Sequence, residues 1–118
     1  MDIGKMVKAL RKHPEANRIG MIATHLGIVR GNSRAGGKVT HVEVVFDREK
    51  ISEIVAHAKK QEGVIEVLVD MKEGRLKVGD EIMAVAVAGD IREHVFPALI
   101  QTVDRLKAEA SKKREFFM

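Results

Sequence analysis

The sequence predicts an α+β domain in which a mixed or antiparallel sheet is covered by helices. Segments with apolar residues every three or four positions interrupt short β-branched segments, in the order α-β-β-α-β-β-β-α. The 118 residues, of which 45% are hydrophobic and 32% charged, suffice for one modest core. With four Phe and no Tyr or Trp, that core must be aliphatic. We therefore expect a single globular domain over residues 1–118.

The first half of the chain is predicted to contain one helix followed by two strands. Asp2 is a natural N-cap for a helix over residues 2–12. His13-Pro14 ends this helix, because the residue before a proline disfavours helical geometry. Residues 19–30 are apolar and β-branched, which predicts one strand or a bent pair of strands. Residues 39–46 alternate between apolar and polar side chains and predict another strand.

The second half is predicted to begin and end with a helix. Asp47 caps the first of these helices, and Gly63 suits a left-handed turn that stops it. Three strands follow, at residues 64–71, 76–78 and 81–88. Asp90 is expected to cap the last helix. Its inward stripe is predicted to consist of six apolar residues: Val95, Phe96, Leu99, Ile100, Val103 and Leu106.

Composition excludes several classes of site. Without cysteine there is no disulfide, no thiolate metal site and no cysteine nucleophile. No metal-binding pair with a third ligand is found among the five histidines. No apolar run approaches the roughly 20 residues of a membrane span, and no signal-peptide core is present, so we expect a cytoplasmic protein. The net charge of +4 attracts anions, which leaves phosphorylated metabolites, nucleic acid and acidic proteins open as partners.

The glycine-rich segment at residues 31–38 differs from a nucleotide-binding P-loop. Asn32 stands where that motif has its first glycine, and Val39 stands where it has Ser or Thr. The segment also leads into a strand, whereas a P-loop leads into a helix N-terminus. We predict a mobile surface loop. The alternative is a loop that closes over an anionic ligand through Arg34 and Lys38.

Two arginines are candidates for anion binding. Arg30 ends a strand just before the glycine-rich loop, where its planar fork can face a phosphate or carboxylate, although a plain surface arginine is the simpler interpretation. Arg92 lies in the first turn of the last helix, where the helix dipole disfavours a cation. Together, the cation and the positive helix end make a good anion site. His25 lies inside an apolar strand and is either a core-edge histidine or a site residue.

Lysines at the end of the last helix are candidates for catalysis. Lys107 closes the helix, and Lys112, Lys113 and Arg114 follow. Basic residues there also stabilise the helix dipole, which is the simpler interpretation of Lys107. A lysine near other cations has a lowered pKa and a freer amine. Catalysis therefore requires the fold to gather Lys107, Lys113 and Arg92.

Five segments in order give the chain a family resemblance. They are His25-Leu-Gly27-Ile-Val-Arg30, Gly74-Arg-Leu-Lys-Val-Gly-Asp80, Ile91-Arg92-Glu-His-Val-Phe96, Asp104-Arg-Leu-Lys107 and Lys113-Arg-Glu115. This series resembles the large, catalytic subunit of molybdopterin synthase. The sequence departs from the family at His25, where relatives have an aromatic residue, and at Ile91, where they have a histidine. We hypothesise that His25 replaces the missing imidazole.

The resemblance implies an α/β-hammerhead fold, a homodimer and no cofactor. It also implies a partner, a ubiquitin-like sulfur carrier ending in a Gly-Gly thiocarboxylate, whose tail enters a pocket near the dimer interface. The implied reaction moves two sulfurs onto cyclic pyranopterin monophosphate. Lys107 would be the main active-site lysine and Lys113 the second, with Lys112 open as its alternative. Arg30 and Arg92 would hold the substrate's anionic groups.

Two other functions are weighed against this enzyme. The first is a non-catalytic homologue that binds the sulfur carrier or a pterin without turnover. The second, a nucleic-acid-binding domain, is disfavoured because the chain lacks aromatic stacking platforms.

Overall fold

The structure, a computed structural model, describes residues 2–118, which form three α-helices and six strands. In chain order the elements are α1 (Ile3–Arg11), β1 (Met21–Ile28), β2 (Val39–Phe46), α2 (Arg48–Lys59), β3 (Val64–Met71), β4 (Gly74–Lys77), β5 (Glu81–Gly89), α3 (Arg92–Arg105) and β6 (Ser111–Phe117). A short 3-10 turn, Ala16–Arg18, precedes β1, and a π-helical turn, Leu106–Ala110, joins α3 to β6.

The strands form two antiparallel sheets of three strands each. The large sheet has the order β1-β5-β3, and the small sheet has the order β4-β2-β6. Within residues 2–118, all the pairings between these strands are antiparallel. The predicted α+β class is therefore confirmed, with antiparallel rather than mixed pairing.

The large sheet is covered on both faces, which explains why its central strand β5 is almost entirely buried. Met83, Val85 and Val87 belong to the main core, together with buried residues of α2 and α3. On the opposite face, Ala86 and Ala88 pack against Leu10 of α1. Alternating side chains reach opposite faces of a strand, so the small alanines leave room for α1 while the larger residues fill the main core.

The small sheet has a core of its own. That core consists of Val29, Val39, Val42, Val44 and Leu76. Ile82 of β5 packs against this cluster and also against the main core. The two sheets therefore meet at Ile82.

The helix caps agree with the sequence in two places and differ in one. Asp2 accepts a hydrogen bond from the Lys5 amide, and Asp47 accepts from the amides of Glu49 and Lys50, as expected. The prediction for Asp90 was wrong. Ile91 is the N-cap of α3, because its backbone is extended and the helix begins at Arg92. Asp90 instead accepts a hydrogen bond from the Ile91 amide at 2.7 Å.

The last helix also buries a different stripe from the one predicted. Val95, Val103 and Leu106 are buried as expected, but Phe96 is 49% exposed and Ile100 is 61% exposed. Ala98 and Thr102 occupy the inward positions. The Thr102 hydroxyl donates to the Ala98 carbonyl at 2.7 Å, so burying its polar group leaves no unpaired donor.

The chain after α3 forms a strand that the predicted element order lacks. Ser111–Phe117 pairs with β2, so Lys112, Lys113 and Arg114 lie in a sheet and not in a basic helix end. The prediction missed β6 because this segment carries charged residues that do not alternate with apolar ones. Its strand conformation depends on a distant partner.

Two other observations complete the fold. Helix α2 ends at Lys59, so Gly63, with φ +76°, serves the turn into β3 and not the helix cap. None of the helices between residues 2 and 118 combines the length and apolarity that a membrane crossing requires.

Candidate active site

A cavity of about 530 Å³ lies where the two sheets meet. Its apolar wall includes Val42 and Val44 of the small sheet and Met71, Ile82 and Met83 of the large sheet. Its polar wall contains, among others, His25, Arg30, Arg34, Lys107, Lys113 and Glu115. Five of these six polar residues were predicted as site residues from the sequence.

Strand alternation decides which lysine of β6 faces the cavity. Lys113 pairs with Val44, and Glu115 pairs with Val42. Paired residues of an antiparallel sheet lie on the same face, and both valines are buried in the core of the small sheet. Lys113 therefore lines the cavity, whereas Lys112 is not among the described residues that line it.

Lys107 reaches the same cavity from the π-helical turn Leu106–Ala110. The turn is anchored by Leu106 and Ala110, which are buried. Next to it, Arg105 donates two hydrogen bonds to Glu109, at 2.7 and 3.1 Å. A π-helical turn re-aims the side chains that follow a regular helix, and such turns are frequent at functional sites. This one brings Lys107 towards β1 and β6.

His25 lies close enough to Lys107 for the two to interact electrostatically. Partial burial lowers the pKa of His25 below its ordinary value, and the positive charge of Lys107 lowers it further. The Nε2 atom of His25 is buried and has no hydrogen-bond partner among residues 2–118. The ring therefore favours the neutral form.

Hydrogen bonds hold the glycine-rich loop against β6 and close its base. Ser33 donates from its hydroxyl to Glu115 Oε1 at 2.9 Å, and its amide donates to the Gly37 carbonyl. Asn32 and Lys38 form a bridge that closes the base of the loop. Arg34 lines the cavity, but Lys38 is not one of its described lining residues. Of the two predicted ligand contacts, only Arg34 lies where it could reach a ligand in this cavity, and its role stays a prediction.

Arg92 lies far from Lys107 within one chain and is not among the described residues that line the cavity. It is the first residue of α3, its side chain is 78% exposed, and its Nε lies 3.7 Å from Glu93 Oε2. Lys107 follows 15 positions later, which corresponds to about 22 Å along a helix axis. The expected cluster of Lys107, Lys113 and Arg92 does not form within a single chain.

Sequence reasoning assigned no role to Glu115 or Ser33. Glu115 is the carboxylate found among the four cations of the cavity wall, and Ser33 is its hydrogen-bond partner. The available signal was that Glu115 lies two positions after Lys113. In a strand this spacing places both side chains on the same face, but it says so only once β6 is known to be a strand. No group of three or more His, Asp or Glu side chains that could hold a metal ion occurs within residues 2–118.

The protein thus has an α+β fold in which two antiparallel sheets meet at a cation-lined cavity. Comparison with known proteins identifies its family. The model of the MoaE protein family matches residues 1–109. The chain belongs to this family, which confirms the resemblance found in the sequence motifs. The match includes Lys107 and ends before Lys113.

Similar proteins include the molybdopterin synthase catalytic subunit of Ralstonia nicotianae. It is 32% identical over an alignment of 114 positions, which covers 92% of this chain and 62% of that protein. The chain therefore spans less than two thirds of the length of this relative.

Solved structures share the fold. The molybdopterin biosynthesis MoaE protein from Burkholderia ambifaria MC40-6 has a TM-score of 0.77 and 27% identity, covering 100% of this chain and 81% of its own. A protein–protein complex of subunits 1 and 2 of the molybdopterin-converting factor from Helicobacter pylori 26695 contains a chain with a TM-score of 0.74 and 16% identity. That match covers 99% of this chain and 80% of the other. At 16% identity, this likeness shows the fold alone.

Proposed function

We propose that this protein is a molybdopterin synthase catalytic subunit of molybdenum cofactor biosynthesis. It would transfer sulfur from a thiocarboxylated carrier to cyclic pyranopterin monophosphate. The observation that carries the proposal is the convergence of Lys107, Lys113, Arg30 and Arg34 on one cavity. Membership of the MoaE family and the name of the Ralstonia nicotianae relative support it.

The proposed roles follow from charge and position. Lys107, on its anchored turn, stabilises negative charge that develops on oxygen and sulfur as the thiocarboxylate reacts. Lys113 acts from β6, where it assists substrate binding or proton transfer. Arg30 and Arg34 hold the substrate phosphate, for which a guanidinium offers a planar, doubly donating fork. The apolar wall around Met71 and Met83 suits the flat ring system of a pterin.

The proposed protein partner is a ubiquitin-like sulfur carrier that ends in Gly-Gly. A two-glycine tail has no side chains, so it can enter a narrow opening and deliver its terminal carbonyl to Lys107. The Helicobacter pylori structure is a complex of two subunits of the converting factor. We extend that arrangement to this chain as part of the proposal.

The proposal also includes a homodimer. Arg92 lies too far from Lys107 to serve the same cavity within one chain, so a role in catalysis requires Arg92 of a second copy. Phe96 and Ile100 of α3 are 49% and 61% exposed, which provides apolar surface for a contact between chains. Sedimentation equilibrium of the purified protein checks this point, and a strictly monomeric protein would remove Arg92 from the proposed site.

Reconstitution with purified components tests the proposed reaction. The protein is mixed with thiocarboxylated carrier and cyclic pyranopterin monophosphate, and dithiolene product is followed over time. Lys107→Ala should lower the rate by about 100-fold or more, because a group that stabilises developing charge contributes that much. Product formation by Lys107→Ala at the wild-type rate would contradict the role of Lys107.

A non-catalytic homologue is the second candidate, and Ile91 favours it. Relatives are expected to carry a histidine there, and Ile91 has no group that exchanges protons. This candidate predicts that the carrier binds while wild-type protein forms no product. Measuring carrier binding by calorimetry in the same preparation separates the two candidates.

A further inference from the structure

One buried polar atom without a hydrogen-bond partner belongs to a residue that lines the cavity. His25 lies in β1 opposite Val85 of β5, and its ring lines the cavity. Its Nε2 atom is buried and has no hydrogen-bond partner within residues 2–118. A buried polar atom without a partner is unfavourable, and most such atoms in folded proteins are paired. An unpaired nitrogen on a residue that lines the cavity is therefore a candidate hydrogen-bond partner for a ligand atom.

A glycine lies beside this nitrogen. Gly27 follows His25 on the same face of β1 and also lines the cavity. A Cβ at position 27 would lie 3.5 Å from His25 Nε2 and 3.1 Å from Ile82 Cγ2. A side chain at this position would crowd Ile82 and cover the nitrogen from that side. The glycine therefore leaves the His25 nitrogen uncovered by a neighbouring side chain on its own strand.

The protonation state of His25 limits what it can do. Burial and the nearby Lys107 charge lower the pKa of His25, and three further cations, Arg30, Arg34 and Lys113, line the same cavity together with the carboxylate of Glu115. A neutral imidazole offers one hydrogen-bond donor and one acceptor. As a weak base with a lowered pKa, it is poorly suited to removing a proton from an ammonium group. It is well suited to binding an uncharged polar group.

We propose that His25 is a ligand-contacting residue that positions the ligand beside Lys107, with its Nε2 hydrogen-bonded to an uncharged amide-like group. Such a group is present both at the edge of a pterin ring and in the peptide bonds of a Gly-Gly tail. The inference rests on the proposed function for the identity of the ligand. The contact itself rests on the position of His25 in the cavity lining and on its unpaired nitrogen.

A matched pair of variants tests the contact. His25→Phe keeps a planar ring and removes the nitrogens, whereas His25→Gln keeps a hydrogen-bonding group. We expect His25→Phe to raise the KM for the pterin, or to weaken the affinity for unthiolated carrier, by about tenfold with a smaller change in kcat. His25→Gln should restore most of the loss. His41→Phe is the control, because His41 stacks on Phe116 and is not a described residue of the cavity wall.

The two measurements identify which ligand is involved. A change in KM for the pterin alone assigns the contact to the pterin, and a change in carrier affinity alone assigns it to the Gly-Gly tail. If the KM for the pterin and the affinity for the carrier are the same in His25→Phe as in wild type, the proposal is overturned.

A spectroscopic measurement keeps the inference independent of turnover and of the folding of any variant. In wild-type protein with 15N-labelled histidine, the Nε2 resonance of His25 should shift when the pterin or the carrier is added. A shift in a protein that makes no product supports the contact and counts against the synthase function. If neither ligand moves the resonance, the contact does not exist, whether or not product is formed.

Discussion

Lys112 and Lys113 are neighbours in β6 but lie on opposite faces of the small sheet. Lys113 pairs with buried Val44, whereas Lys112 pairs with Val45, which is 60% exposed. The alternation of a strand therefore places one lysine in the wall of the cavity and the other outside it.

The first prediction compares these two lysines. Lys113→Ala should lower the rate of dithiolene formation by about tenfold or more, because it removes a cation from the cavity. Lys112→Ala should leave the rate within about twofold, since exposed surface substitutions have small effects. Both rates are measured in the reconstituted reaction. Equal losses in the two variants would mean that strand alternation does not decide which lysine acts.

The second prediction concerns pH and the pair formed by Asp90 and His94. His94 Nδ1 lies 2.8 Å from Asp90 Oδ1, and this hydrogen bond is the main reason that the pKa of His94 is raised and that of Asp90 is lowered. Stability from His94 is fully present below its unfolded pKa and is lost as pH rises through its raised folded pKa. Stability from Asp90 is present above its unfolded pKa and is lost as pH falls through its lowered folded pKa.

The pair therefore contributes most in the mildly acidic window between the unfolded values of the two groups. His94→Gln should lower the urea midpoint more at about pH 5.5 than at about pH 8.5. Urea unfolding of wild type and variant at the two values checks this. A loss of stability that does not change with pH would show that His94 acts by packing and not by charge.

The third prediction concerns Gly63. Its φ of +76° disfavours any side chain, and a Cβ at this position would overlap with Asp90 and His94. Gly63→Ala should lower the free energy of unfolding by more than about 1 kcal/mol, because strain and overlap add. Gly36→Ala is the control, since Gly36 has φ +99° and no atom within 4 Å of the position that a Cβ would take. Gly36→Ala should lower the free energy of unfolding by a smaller amount, and urea unfolding measures both variants. Equal decreases for the two variants would mean that backbone strain alone explains the effect at Gly63.

The fourth prediction concerns the tie between the glycine-rich loop and β6. Ser33→Ala removes the hydrogen bond to Glu115 and frees the loop that carries Arg34. Trypsin should then cleave after Arg34 several times faster than in wild type, because cleavage requires local opening. Thr40→Val is the control, since Thr40 bonds to the Phe116 carbonyl outside the loop. Unchanged cleavage in Ser33→Ala would mean that the other hydrogen bonds of the loop hold it closed.

Local patterns in the sequence were sufficient for most elements of the fold. The predicted strands at residues 39–46 and 64–71 coincide with β2 and β3, and Asp2 and Asp47 cap their helices as expected. Strand alternation and helix capping depend on residues close together in the chain, so they can be read from it. The segment Ser111–Phe117 could not be read in this way, because its partner β2 lies more than 60 residues earlier.

By itself the sequence determined the fold class, the family and single candidates such as Arg30, Lys107 and Lys113. Only the tertiary structure decided which of them share a cavity. It brought His25 and Arg34 to Lys107 and Lys113, and it left Arg92 at the far end of α3. The physical reason is that motifs and periodicity report the local direction of a side chain. The distance between two side chains depends instead on how sheets and helices pack across the whole chain.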